Sequence, residues 1–326
     1  MDGIDWLKVV VHHPLFLRHA MRTTLTLNQI VEEWIAGCDR LPSTKADYRR
    51  KIRLWFAWLS VRGINPREPT KEHILQFKEQ LRSEGKSQYT YLSYVTVVKL
   101  FYQYCASMRY CDNITEGVKA SVRHREHYKH PLTSEQAQRL MNSIDTQTII
   151  GKRDKLIIAL MLLNGLRACE VCRINICDVE RREERVLLHL QRKGHLDKHD
   201  VVALPSITAE LYEDYISERD FHSDEPLIVN HCKGRKSERL RTPTISMIVK
   251  QRLQAIGIND PKITAHSLRH TCGSLLVEMG TDIEIIKDLL GHTNSSTTRI
   301  YIDMAQKQRL LKVNPSQHIE ALLSKK

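Results

Sequence analysis

Between Asn113 and Pro131 a helical pattern stops and a polar, basic stretch replaces it, and this break limits the possible folds more than any other feature of the chain. Lys119, Arg123, His124, Arg125, His127, Lys129 and His130 follow one another without an apolar stripe, and the stretch ends at the proline. A segment of this kind has little to bury, so it reads as a linker between two separately packed domains. A chain of 326 residues has room for both. The expected division is an N-terminal extension over 1–24, a helical domain over 25–112, the basic linker over 113–130, and a second domain with a C-terminal tail over 131–326. A solvated spacer and a basic strap along a polyanion account for the linker equally well.

The first domain reads as helix almost throughout. Residues 25–38 place Leu27, Ile30, Val31, Trp34 and Ile35 at helical spacing. A second helix, opening at Ser43 or Thr44, carries Tyr48, Ile52, Trp55, Phe56 and Leu59 on one side, with Arg49, Arg50, Lys51 and Arg53 interleaved. Residues 70–84 and 87–108 complete a four-helix module. All the tryptophans fall in the first 60 residues, and a core role suits most of them better than base stacking.

The second domain opens on Thr133 and Gln136, spaced as a capping box ahead of a helix over 137–144. A mostly apolar helix follows over 156–163. Two short Val- and Leu-rich runs, 185–190 and 200–204, flank a loop containing Lys193-Gly194 and read as a β-hairpin. Further helices are expected over 206–219, 242–255, 265–279, 282–289 and 295–307, with Gly280 and Gly291 where helix ends favour glycine. The fold class is therefore mainly α with a small β-hairpin or sheet in the second domain.

Lys and Arg number 50 against 38 acidic residues, a formal charge of +12 with a pI near 9.3, so a polyanion is the natural partner. No apolar run approaches the roughly 18 residues of a membrane span, and no signal-peptide core precedes a cleavage site. A cytoplasmic or nucleoid-associated protein is expected, without membrane partners. The eight cysteines are spread along the chain and read as reduced thiols. Cys169 and Cys172 make a lone C-x-x-C with no second pair at zinc-ribbon distance, which argues against a structural metal.

Phosphate chemistry is concentrated near the C-terminus. In His266-Ser267-Leu268-Arg269-His270, positions 266 and 270 share a helix face and Arg269 lies on a neighbouring one. A zinc site of the H-E-x-x-H kind needs a glutamate where Ser267 stands, and the guanidinium of Arg269 would repel a cation. The same guanidinium suits a phosphodiester, whose oxygens accept its forked donors. Arg167, in Asn164-Gly165-Leu166-Arg167-Ala168-Cys169-Glu170, follows an apolar helix at a glycine turn. Glu170 lies one helical turn on, placed to hold that arginine, although an ordinary i to i+3 ion pair explains the spacing equally well. Leu290-Gly291-His292 comes next, and Tyr301 stands nine residues after that histidine.

Arg167, Lys193, His266, Arg269, His292 and Tyr301, in this order and spacing, resemble the tyrosine recombinase family of the phage integrase and Xer type. The resemblance covers nearly the whole chain. Its first part, likeness to the family's helical core-binding, SAM-like domain, rests on pattern, charge and position rather than on a motif. The residues before 25 are few beside those of integrases with an added arm-binding domain, so the chain resembles two-domain members that clamp a duplex.

The resemblance implies that Tyr301 attacks the phosphodiester, that Arg167, Arg269 and His292 stabilise the phosphate, and that His266 takes the phenolic proton. Lys193 would protonate the leaving 5′ oxygen, with Lys198 of the same hairpin as competitor, and Glu170 would orient the site. His270 is expected to be structural. Cleavage through a 3′-phosphotyrosyl link needs no cofactor, no ATP and no metal, in keeping with a sequence that lacks a P-loop. Implied partners are double-stranded DNA carrying specific recombination sites, a homo-tetramer assembled on it that passes through a Holliday junction, and an accessory directionality factor. The tail, with Ile319, Leu322 and Leu323, docks either on a neighbouring protomer or on its own domain. Integration and excision of a mobile element is the expected role, from the N-terminal extension and the cysteine load, with dimer or cointegrate resolution as the alternative. A type IB topoisomerase and a non-catalytic DNA-binding regulator are the other readings.

Overall fold

The computed structural model describes residues 25–120 and 130–291, except 194, 196, 233, 235 and 236, together with 316, 320 and 323. The chain divides into two compact units, Met1–Glu126 and His127–Lys326.

Among the described residues the first unit holds α1 (Leu27–Gly37), α2 (Pro42–Val61), α3 (Lys71–Ser83) and α4 (Gln88–Ser107). Thr26 starts α1 with a capping box: its Oγ1 accepts from the Gln29 N–H at 3.3 Å, and its own N–H donates to Gln29 Oε1 at 2.8 Å. The helix buries Ile30, Val31, Trp34 and Ile35, the stripe expected from spacing. Helix α2 begins at Pro42, ahead of the expected Ser43 or Thr44, because proline at the first helical position lacks only an N–H that would go unpaired there anyway. Trp34, Trp55 and Trp58 are all buried; Trp6 lies outside the described residues. Trp55 stacks on Trp58 with ring centroids 5.3 Å apart and meets Phe77 edge-on at 5.1 Å. Its indole N–H donates to Tyr102 Oη at 3.1 Å, so the one polar atom of this core ring is satisfied.

Residues 113–120 of the expected linker pack on this unit. Thr115 and Val118 are buried, Val118 within the helical core, and Lys99 Nζ donates to the Val118 carbonyl at 2.6 Å. Ile114, Val118 and Ala120 follow no regular period in this non-helical segment, which is why the sequence pattern misses them.

The second unit is organised around α6 (Ile149–Leu162), in which ten residues are buried. It is preceded by α5 (Ser134–Asn142), whose Thr133–Gln136 capping box is present as expected. Helix α6 begins well before Leu156, where apolar spacing places its start. Arg153 and Asp154 hide that beginning, because they are buried as an ion pair at 2.7 Å, and Asp154 also takes Arg252 Nη2 at 2.6 Å. Paired charges enter a core without leaving a hydrophobic signature.

After α7 (Ala168–Arg173) comes a three-stranded antiparallel sheet in the order β1 (Val179–Arg182), β2 (Arg185–Leu190), β3 (Asp200–Ala203). The expected hairpin is β2 and β3, with Leu188 opposite Val202; β1 joins its other edge, pairing Val179 with Leu188. The sequence pattern misses β1 because three of its residues, Glu180, Arg181 and Arg182, are charged, as suits an exposed edge strand. Helices α8 (Ser206–Ile216), α9 (Thr242–Ala255), α10 (Ala265–Glu278) and α11 (Ile283–Leu290) complete the unit as described. The fold is mainly helical with a small sheet. The expected helix over 295–307 and the C-terminal tail fall outside the described residues, apart from single positions.

Candidate active site

Helix α6 ends at Leu162, and Gly165 turns the chain toward α7 at φ 63°, a left-handed conformation that favours glycine. A Cβ at Gly165 would stand 2.3 Å from Leu290 Cδ2, so the turn is also closed by contact with the end of α11. Arg167 then serves as N-cap of α7. Its N–H donates to Glu170 Oε2 at 2.9 Å and its Nη1 to Glu170 Oε1 at 2.6 Å.

Glu170 gathers the site. Its side chain is fully buried, and besides Arg167 it accepts from the Lys193 N–H at 3.2 Å. Arg269 Nη1 lies 3.9 Å and Arg192 Nη1 3.8 Å from its Oε2. One carboxylate thus brings together residues from α7, the β2–β3 connection and α10. Burial alone would raise its pKa, but the Arg167 charge and N–H and the Arg269 charge outweigh burial and hold the carboxyl below its ordinary value. The stability this ionisation contributes is therefore present at neutral pH and is lost as pH falls through the lowered pKa, below 4.5. Glu170→Gln leaves three guanidinium groups short of their counter-charge, and denaturant unfolding at pH 7 is expected to show a loss of about 3 kcal/mol. The deficit should shrink as the pH is lowered below 4.5, and a pH-independent deficit would contradict the assignment.

Arg269, 1% exposed, is held in place by backbone carbonyls: Nη1 donates to Gly165 at 2.7 Å and Nη2 to Leu290. It is fixed between the turn that carries Arg167 and the end of α11. His266 stands exposed in the first turn of α10, its ring edge-on to His270 with centroids 4.5 Å apart. Burial, with the charges of His266 and Arg269, lowers the His270 pKa to about 3, so this ring is neutral in the physiological range.

Lys193 is exposed in the β2–β3 connection, its backbone anchored on Glu170. Lys198, its competitor, donates to Asp178 Oδ2 at 2.5 Å. Arg192 was not among the candidate residues. It precedes Lys193, is buried, and packs on Gly291, yet adjacency to a candidate lysine is the only sequence signal it offers. His292 and Tyr301 lie outside the described residues; Gly291, which ends α11 at φ 57°, is the last before them.

The sequence model of the phage integrase family matches residues 130–308, and that of the phage integrase N-terminal SAM-like domain matches residues 32–116. The chain is 27% identical over 308 residues to tyrosine recombinase XerA of Pyrococcus horikoshii, a match covering 93% of this chain and 98% of that protein. It is 30% identical over 239 residues to tyrosine recombinase XerC of Chlamydia trachomatis, covering 73% and 74%. Among solved structures, the XerH site-specific recombinase in a post-cleavage complex with palindromic difH substrate aligns with a TM-score of 0.65. That alignment has 20% identity over 78% of this chain and 74% of that one, a likeness of fold.

Proposed function

Because the chain belongs to the phage integrase family and is a tyrosine recombinase, an enzyme that cuts and rejoins DNA, we propose that it exchanges strands between two specific duplex sites with Tyr301 as nucleophile. The observation that carries the residue-level reading is the convergence on Glu170 of Arg167, Arg269 and the Lys193 backbone. A guanidinium has five N–H donors, and fixing two of them in the fold, as for Arg269, sets the plane in which a phosphate meets it.

In the proposed step the Tyr301 oxygen forms a bond to phosphorus as the bond from phosphorus to the 5′ oxygen breaks. The phenolic proton passes to His266, and Lys193 gives a proton to the departing oxygen. Arg167, Arg269 and His292 stabilise the charge that grows on the non-bridging oxygens. The 3′-phosphotyrosyl ester keeps the energy of the broken bond, so a 5′ hydroxyl from a second duplex reverses the step and joins the strands. Four protomers on two sites, passing through a Holliday junction, complete the exchange.

Lys193 is favoured over Lys198 as proton donor by the contact of Lys198 with the buried Asp178, which occupies its ammonium inside the domain. Lys193→Ala is expected to slow cleavage by about 10²-fold or more, and Lys198→Ala by much less. Equal losses in a nicked-duplex assay would sink the distinction.

A plasmid carrying two candidate sites tests the function itself. Deletion or inversion products support recombination; relaxation of supercoils alone supports a topoisomerase. For biological role we place integration and excision of a mobile element first. Resolution of chromosome or plasmid dimers is second, favoured by the match with XerA along 93% of the chain. Sequencing the DNA that flanks the gene separates them, since element ends with short inverted core sites accompany the first role only.

A further inference from the structure

Arg192 lies between β2 and β3, directly before Lys193, and is 3% exposed. Charged side chains are seldom enclosed without a full set of acceptors. Here Nη2 donates to the Leu289 carbonyl at 2.9 Å, while Nε and Nη1 make no hydrogen bond. The facing carboxylates, Asp200 from Nε and Glu170 from Nη1, are each 3.8 Å away. Burial pulls the pKa of this guanidinium down, against the opposing charges of Glu170 and Asp200. A group held this unfavourably calls for a reason beyond packing.

The surroundings supply one. A Cβ at Gly291 would lie 2.6 Å from Arg192 Nε and 2.9 Å from Cδ and Cζ, so the guanidinium rests directly on the residue that ends α11. Consecutive carbonyls at that helix end are taken by two buried cations, Leu289 by Arg192 and Leu290 by Arg269, where the helix dipole favours positive charge. The Arg192 carbonyl accepts from Arg173 Nη1 at 3.4 Å, and the next N–H, that of Lys193, donates to Glu170. The side chain thus ties this short segment to α11, while the carbonyl and the following amide both tie it to α7.

We propose that Arg192 is a positioning residue for Lys193: it fastens the β2–β3 connection to the end of α11 so that the lysine meets the leaving 5′ oxygen. This rests on the reading of Lys193 as proton donor. Lys193 is itself exposed, so its reach is set by the backbone that carries it. A misplacement of about 1 Å in such a group is enough to lose about 10²-fold in rate.

The test compares the full-length protein and Arg192→Met on a nicked duplex whose scissile linkage carries either the natural 5′ oxygen or a bridging 5′ sulfur. With sulfur, the tyrosine–phosphorus bond forms and the phosphorus–sulfur bond breaks, and a thiolate leaves without needing a proton. Arg192→Met is expected to cleave the oxygen linkage about 10²-fold more slowly than the unaltered protein and the sulfur linkage at nearly its rate. Equal losses on both linkages, in a variant that still binds the duplex, overturn the proposal. Lys193→Ala runs alongside. If sulfur fails to rescue it, the reading of Lys193 as acid falls; if sulfur rescues it but not Arg192→Met, the positioning role falls alone. Should Arg192→Met not fold, Arg192→Lys keeps the charge beside Glu170 while shortening its reach, and the same oxygen-to-sulfur ratio decides.

Discussion

Tyr301→Phe is expected to abolish strand cleavage and every recombinant product, a loss of at least about 10⁴-fold, while binding of a duplex core site stays within about twofold of the unaltered protein. The substitution removes one oxygen and leaves the aromatic ring. The contacts that hold Arg167, Arg269 and the Lys193 backbone on Glu170 do not involve it. Stabilisation of the phosphate without a nucleophile lowers a barrier that no reaction crosses. Cleavage of a nicked duplex, followed as a protein–DNA adduct, measures the first quantity and gel mobility the second. Recombinant products from the phenylalanine variant would remove Tyr301 from the nucleophile's role.

Arg269→Ala is expected to have the next largest effect, combining two losses. Removal of a charged donor from a developing phosphate charge lowers cleavage by about 10²- to 10³-fold. The same change also strips the Gly165 and Leu290 carbonyls of their donor and Glu170 of a neighbouring charge, all inside the fold. A stability loss of about 3 kcal/mol should accompany the kinetic one. Arg167→Ala makes the useful comparison. Its side chain is 21% exposed, so its kinetic loss should be similar with a smaller loss of stability. Single-turnover cleavage per folded molecule, with unfolding measured on the same samples, separates the two parts. An Arg269→Ala protein that is destabilised but cleaves at the normal rate would reduce this residue to a structural tie.

The helical frame was legible wherever apolar residues repeat at helical spacing: α9 spans the expected residues, and α10 and α11 differ only at their ends. Elements whose buried or paired residues are charged were harder to read. The start of α6 is concealed by the buried Arg153–Asp154 pair, and β1 by its run of Glu180, Arg181 and Arg182. In the site, Arg167 and Glu170 were readable together because they stand one turn apart, whereas the approach of Lys193 and Arg269 to the same carboxylate depends on long-range packing. His270 is expected from the sequence to be structural; its neutrality follows from burial beside His266 and Arg269, which spacing does not report. Arg192 was missed for the same reason. Its burial, and its grip on Leu289, come from the docking of the β2–β3 connection on α11.

Trapping the enzyme on a nicked duplex core site, digesting the complex and mapping the adduct by mass spectrometry tests whether Tyr301 is the nucleophile. A nucleotide joined through its 3′ phosphate to the peptide containing Tyr301 is expected, with no adduct from Tyr301→Phe. An adduct on another side chain, a 5′-phosphate link, or free hydrolysed ends without any covalent complex would contradict that role.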